Sequence, residues 1–390
     1  MTPDILVVGG GLHGCSAALH CALAGLKVVV VEKDYVGRHA SGVNAGGVRS
    51  LGRHPAEVPL SRASTKLWHS IADLVGDDCG FQASGQVKVA ATPEQLDELK
   101  RRAANLEKQG FAHEEIVGPD DLYELLPSLA PGMPGGVVVR DDGFANPFRT
   151  TVAFRHRAAK LGVQFLEGTR LLGMKREGKS WKVETSAASV SAAVVINCAG
   201  AWAGQICKWL GEPAPVEPIA PMMTITSALP PFVAPVVGFA GSPLSFKQMQ
   251  NGTVMIGGGY RGVPELERGS TRLRLDRLAT NISTALMLFP ILEKVNIIRF
   301  WAGIEAHMPD DIPVIGPGLQ EGVFHAFGFS AHGFQLGPIV GQVLAALIQE
   351  DPSSLPIEDF AISRFMDQAA LDEPIFKAVS ALGDSSADLH

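Results

Sequence analysis

Asp4-Ile5-Leu6-Val7-Val8-Gly9-Gly10-Gly11-Leu12-His13-Gly14-Cys15-Ser16-Ala17-Ala18 is the stretch from which the rest of the chain is read. A short apolar run, β-branched and too brief for a helix, feeds into Gly9-x-Gly11-x-x-Gly14, and an Ala/Leu-rich segment follows as far as Gly25. That order predicts a strand, a tight turn and a helix. Gly9 permits the turn, Gly11 lets a pyrophosphate approach the backbone, and Gly14 lets helix and strand pack closely. Phosphates favour such a helix N-terminus because unpaired N–H groups and the helix dipole meet there. Lys27 to Val31 reads as a second buried strand, with Glu32 at its end, where a carboxylate can accept both hydroxyls of an adenosine ribose and repel a 2′-phosphate.

The chain has 390 residues, 46% of them apolar and 19% charged, enough for one large or two medium domains. A net charge of −7 argues against nucleic acid or an anionic membrane as the main partner. Met1 to Asp4 carries no basic n-region, no apolar run reaches the length of a spanning helix, and a cytoplasmic location is the expectation. The five cysteines are scattered without Cys-x-x-Cys spacing, so neither a disulfide framework nor a metal site is expected.

Gly37 to Arg49 has no helical or strand period and reads as a small-residue loop that a ligand orders. Helical spacing follows over 57–75, alternation over 86–91, and helix starts capped by Thr92-Pro93 and Asn146-Pro147. Ala193 to Asn197 resumes the strand-to-helix pattern after about a hundred residues of other material, so the nucleotide domain is discontinuous. Asn251-Gly252 marks a hairpin within a largely antiparallel block. Near the end, the strand Val323 to Ala326 meets Gly328-Phe329-Ser330-Ala331-His332-Gly333-Phe334-Gln335, a second glycine turn opening an apolar helix to Ile348. The expected fold class is α/β: a discontinuous Rossmann-like domain over 1–80, 146–212 and 300–350, a substrate domain over 81–145 and 213–299, and a helical tail over 351–390.

The order of the glycine motif with Glu32, the loop 40–49, Asn197-Cys198-Ala199-Gly200-Ala201-Trp202, Trp301-Ala302-Gly303, the Pro309 to Gly316 segment and Gly328 to Phe334 resembles the D-amino acid oxidase-like flavoenzymes. It looks most like the β subunits of sarcosine oxidase, dye-linked L-proline dehydrogenase and D-hydroxyproline or opine dehydrogenases. The resemblance implies FAD, placed against Gly9, Gly11, Leu12, His13, Gly14, Glu32 and Lys33. It extends the contact along the loop through Ser41, Asn44, Ala45, Gly46 and Gly47, and to Ala199, Gly200, Trp202 and Gly303. Backbone N–H groups at Gly333, Phe334 and Gln335 are implied to face the flavin edge that gains negative charge on reduction. Family members that bind the flavin covalently use a cysteine just before the Pro-Asp motif; none lies between Gly303 and Met308, so non-covalent FAD is expected.

The implied activity is oxidation of a small amino or imino acid, such as proline, hydroxyproline, sarcosine or an opine, by hydride transfer from the carbon beside nitrogen to flavin N5. Arg49 is the candidate carboxylate anchor, and His332 and Gln248 are the other candidates at the substrate end. A lysine of the family is replaced by Gln335, and Ser245 stands where several relatives have Tyr, so substrate identity is the least transferable part. A 2-hydroxy acid substrate, or a flavin-binding subunit without turnover, are the alternatives. Onward electron transfer implies oxygen, a quinone or a partner subunit.

Overall fold

The computed structural model describes residues 2–351 and 355–366. Its organising layer is a six-stranded sheet in the order Val314–Pro317, Val323–Phe327, Val194–Asn197, Ile5–Val8, Val28–Val31 and Gln164–Leu166. All neighbours are parallel except the first pair. Ile5–Val8 sits inside this sheet, buried on both faces, which is why it reads as continuous rather than alternating apolar sequence. The period of two still sorts its side chains. Ile5 and Val7 pack with the helices Leu12–Leu23, Pro147–Lys160 and Gly333–Ile348; Leu6 and Val8 pack with Trp181, Val183 and Ile206 of the opposite layer.

The first helix and the Gly333 helix meet across missing side chains. A Cβ at Gly337 would lie 2.4 Å from Leu12 Cδ2, and one at Gly341 would lie 2.3 Å from Ser16 Oγ. Only glycine allows this approach, and it sets both helix N-termini beside the same sheet edge.

A second, eleven-stranded sheet is built around the long strand Glu217–Thr226, which pairs with Val254–Gly257, Arg261–Glu265, Ile297–Ala302 and Glu305–His307. Every pairing is antiparallel except Val236–Phe239 with Gln86–Ala90. Its core joins Val87, Val89, Phe246 and Ile256 to Ala285 and Leu288 of the helix Leu275–Leu288. Asn251-Gly252 turns the hairpin between Ser245–Gln248 and Val254–Gly257, with Gly252 at φ +83°. Thr92 Oγ1 accepts from Gln95 N at 3.3 Å and Asn146 Oδ1 from Arg149 N at 3.0 Å, so both proposed helix starts are capped.

Four expectations change. Residues 37–49 contain a short helix, Ala40–Val43, and a strand, Gly47–Val48, paired with Gly143–Phe144. Asn44 supplies the local order: its Nδ2 donates to Ala40 O and its Oδ1 accepts from Gly46 N. The helical region over 57–75 breaks at Ser70 into Val58–His69 and Ile71–Val75. Ile297–Ala302 and Glu305–His307 pair with Glu217–Thr226, so the division between the sheets falls after His307 rather than at residue 300. Finally, the tail shows two 3-10 turns, Glu358–Phe360 and Ile362–Phe365, whose Phe360, Ile362 and Phe365 are buried; its remainder over 352–354 and 367–390 lies outside the described residues. No helix among the described residues is long and apolar enough to cross a membrane.

A Cβ at Gly14 would lie 1.9 Å from Gly9 O. Gly14→Ala is therefore expected to lower stability by roughly 1–3 kcal/mol, the usual cost of overpacking, read as a drop in melting temperature; an unchanged melting curve would show that turn and helix separate freely.

Candidate active site

The first turn does what its glycines require. Gly9 takes φ +108°, and a Cβ on Gly11 would meet Ser41 Oγ at 2.9 Å. Leu12 N donates to that same Ser41 Oγ at 2.9 Å, tying the loop 40–47 to the helix N-terminus. Glu32 is buried at the end of its strand, where its Oε2 accepts from Gly10 N at 2.7 Å and its Oε1 from Asp34 N at 2.8 Å. Burial raises its carboxyl pKa, against the pull of those two N–H groups. Each oxygen keeps a lone pair that can accept a further hydroxyl. Lys33 Nζ lies 3.9 Å over the Trp202 ring and bonds Asp34 at 2.6 Å.

From this turn a cavity of about 800 Å³ runs between the two sheets. Its walls include Leu12, His13, Asn44 to Gly47, Ala199, Gly200, Gly303, Gly333 and Phe334. The volume lies in the upper part of the range for small-molecule sites. His13 stacks on Phe329, centroids 3.6 Å apart and planes at 3°, and burial pushes its pKa down to about 3, so it is neutral. Its Nδ1 is buried without a partner. The turn, the ribose-competent carboxylate and the length of the cavity fit an extended dinucleotide lying across both helix N-termini.

Part of the lining is cationic. Arg49, Arg53 and Lys88 all face the cavity. Arg53 is 1% exposed: Nε donates to Arg49 O at 2.9 Å, Nη2 to Gln335 Oε1 at 3.2 Å, and Nη1 lacks a hydrogen bond, 3.7 Å from Glu57 Oε1. Among the described residues, Arg49 donates only a long bond, 3.5 Å, to Leu51 O. His332 Nδ1 lies 3.2 Å from Glu57 Oε2. Burial, against the pull of Glu57, moves His332 down to about 4, so it is a neutral hydrogen-bonding brace at neutral pH. Burial opposes ionisation of Glu57, but His332 and Arg53 outweigh it and hold its carboxyl below the ordinary value.

Two of the sequence-derived candidates, Gln248 and Gly14, sit elsewhere, and the side chain of a third, Gln335, is engaged in the core. Gln248 is spent on its own hairpin: Nε2 donates to Leu229 O, Pro230 O and Gly252 O, and Oε1 accepts from Phe232 N. It does not line the cavity, so it is not a substrate-contacting residue. The Gln335 side chain brackets the Gly333 helix against Val58–His69, donating to Ser61 O and Thr65 Oγ1 and accepting from Arg53. Gly14 lies behind the wall, at the contact between turn and helix. Arg49, His332 and the other predicted cofactor contacts line the cavity.

Four residues escaped the sequence. Arg49-x-x-x-Arg53-x-x-x-Glu57 was the available signal for Arg53, an evenly spaced charge series running into a helix start. In Gln86–Ala90 the alternation puts Val87 and Val89 in the core and Gln86 and Lys88 on the cavity side. Lys247, adjacent to Gln248 and so on the opposite strand face, donates Nζ to Ala45 O beneath the loop and stands 4.9 Å from the Phe144 ring centre; burial moves its pKa down to about 7. Glu305 also faces the cavity. A separate buried group, Cys207, Glu212 and His325, brings possible metal ligands within 4.8 Å of one another. There Glu212 and His325 bond each other at 2.6 Å and burial pushes the thiol up to about 12, which describes a hydrogen-bonded core cluster.

Comparison with known proteins fits this geometry. L-proline dehydrogenase from P. horikoshii superposes with a TM-score of 0.88 at 27% identity, covering 94% of this chain and 98% of that one. The sarcosine oxidase subunit beta of Rhizobium meliloti is 24% identical over 378 residues, 95% of this chain and 90% of that protein. Mitochondrial dimethylglycine dehydrogenase of Rattus norvegicus is 27% identical over 362 residues, 83% of this chain, which thus spans only 42% of that longer protein. The family model described as FAD dependent oxidoreductase matches residues 4–347, so the chain belongs to the FAD-dependent oxidoreductase family, with FAD as its cofactor.

Proposed function

We propose that this chain oxidises a small amino or imino acid at the carbon bearing nitrogen, with non-covalently held FAD as the oxidant. The observation that carries the reading is the pair Arg49 and Arg53, both facing the same cavity as the glycine turn, with Arg53 Nη1 buried and without a hydrogen bond among the described residues, its nearest charge Glu57 at 3.7 Å. Two guanidinium groups beside a flavin site suit a carboxylate, which accepts a planar fork of N–H donors. The named activities of the proline dehydrogenase and the sarcosine oxidase subunit support the same substrate class.

FAD, when bound, supplies the hydride acceptor. The chain's own part is placement. Glu32 would accept the ribose hydroxyls, Gly11 and Leu12 would meet the pyrophosphate, and Asn44 to Gly47 would border the flavin ring. Arg49 and Arg53 would hold the substrate carboxylate, so that the C–H bond beside nitrogen has one orientation. His332 would keep Glu57, and through it Arg53, in position. The sarcosine oxidase relative is named as a subunit, which supports a partner subunit as the next electron carrier, and five buried free cysteines suit a reducing compartment.

The test is anaerobic titration of the FAD-loaded chain with proline, hydroxyproline, sarcosine and opines. One of these is expected to bleach the flavin, while the purified chain in air forms peroxide slowly; bleaching by 2-hydroxy acids alone would contradict the proposal. Arg49→Ala is expected to raise the apparent KM by roughly 30-fold or more, since truncating one partner of a buried charge pair costs about 2–5 kcal/mol. A KM equal to that of the parent would remove Arg49 from the site. Glu32→Ala is expected to weaken FAD by about 10- to 100-fold, the worth of hydrogen bonds to a charged acceptor, read by quenching of FAD fluorescence.

A further inference from the structure

Only two carboxylates line the cavity among the described residues, Glu32 and Glu305. The first already accepts two backbone N–H groups at the end of its strand. Glu305, on the strand Glu305–His307, accepts one: Ala331 N donates to its Oε1 at 2.6 Å. No ion pair to Glu305 forms among the described residues, and the one charge that acts on it, Arg261, does so without contact.

Glu305 is half-buried, and its desolvation pushes the carboxyl up to about 7 against the pull of Ala331 N and Arg261. It lines the same cavity as Arg49, Arg53 and Lys88. Ala331 holds Glu305; the next residue, His332, holds Glu57, and Glu57 lies 3.7 Å from Arg53. Consecutive residues of the turn before the Gly333 helix thus hold two carboxylates: Glu305, which faces the cavity, and Glu57, which lies against the cavity-facing Arg53. That turn is held firmly: Ser330 and Ala331 take φ +49° and +66°, and Ser330 N donates to Ala306 O while Met308 N donates to Ser330 Oγ. A carboxylate and two guanidinium groups facing one cavity offer partners of the right sign for the two charged ends of an amino acid.

We infer that Glu305 is the counter-charge for the cationic nitrogen of the substrate, so that the substrate binds as a zwitterion with its carboxylate on Arg49 and Arg53 and its ammonium on Glu305. This rests on the amino acid reading of the site and extends it, since it selects amines over hydroxy acids and other neutral carboxylates of the same shape. Bracing the Ala331 turn is a separate duty of the same side chain. Glu305→Gln separates the two, because an amide oxygen still accepts from Ala331 N but carries no charge.

The test uses two non-oxidisable probes of nearly identical shape, trimethylglycine and 3,3-dimethylbutanoate, which differ in the positive charge. Each is titrated into FAD-loaded protein, followed by calorimetry and by the shift of the flavin absorption bands. Wild-type protein is expected to bind trimethylglycine about tenfold more tightly or better, a difference of about 1.4 kcal/mol. In Glu305→Gln, with FAD retention and melting temperature like the parent's, the preference is expected to vanish while 3,3-dimethylbutanoate still binds. Equal binding of the two probes by the wild type, or a preference that survives Glu305→Gln, would overturn the inference and leave the carboxylate anchor standing. Failure of 3,3-dimethylbutanoate to bind, or binding indifferent to Arg49→Ala, would overturn the anchor and the zwitterion model with it.

Discussion

The contact between the first helix and the Gly333 helix governs the geometry of the site. Gly337 and Gly341 let Leu12 and Ser16 approach to distances that any side chain would forbid. Two helix N-termini therefore open onto one cavity, and two glycine turns more than three hundred residues apart line it. A Cβ on Gly333 would lie 2.9 Å from His13 Nε2, so the turns themselves nearly touch. Without this packing the six-stranded sheet could still form, but it would present one helix N-terminus and half a site.

Around that contact the charges are arranged in a chain. Gln335, anchored to Ser61 and Thr65, accepts from Arg53; Arg53 lies against Glu57; Glu57 meets His332; the residue before His332 meets Glu305. Buried charges of this kind are expensive unless each finds partners. Here Arg53 Nη1 and Glu57 Oε1 face each other at 3.7 Å, too far for a hydrogen bond, so among the described residues Nη1 keeps a donor that a bound anion can accept.

The glycine motif, the strand to Val8 and Glu32 were legible because their physics is local: a short β-branched run, turns that need glycine, a carboxylate at a strand end. The second turn at Gly328 to Gly333 was legible for the same reason. Residues whose roles depend on which strand lies beside which were not. Gln248 looked functional and proved to close its own hairpin, while Lys247, one position away and on the other face, reaches the loop 40–47. Lys88 and Glu305 sit in short strands and become visible only once Gln86–Ala90 and Glu305–His307 are placed in the large sheet. The loop 37–49 looked irregular since its order comes from Asn44 and from pairing with Gly143–Phe144, a hundred residues on. The break between the sheets was misplaced for a similar reason: strand pairing, not composition, assigns Ile297–Ala302 to Glu217–Thr226.

The most direct test of this account is a crystal structure of the chain with FAD and 3,3-dimethylbutanoate. The account predicts the ribose hydroxyls on Glu32, the pyrophosphate at Gly11 and Leu12, the flavin ring along Asn44 to Gly47, and the carboxylate on Arg49 and Arg53. A carboxylate bound away from both arginines, or FAD lying in the reverse direction, would contradict it.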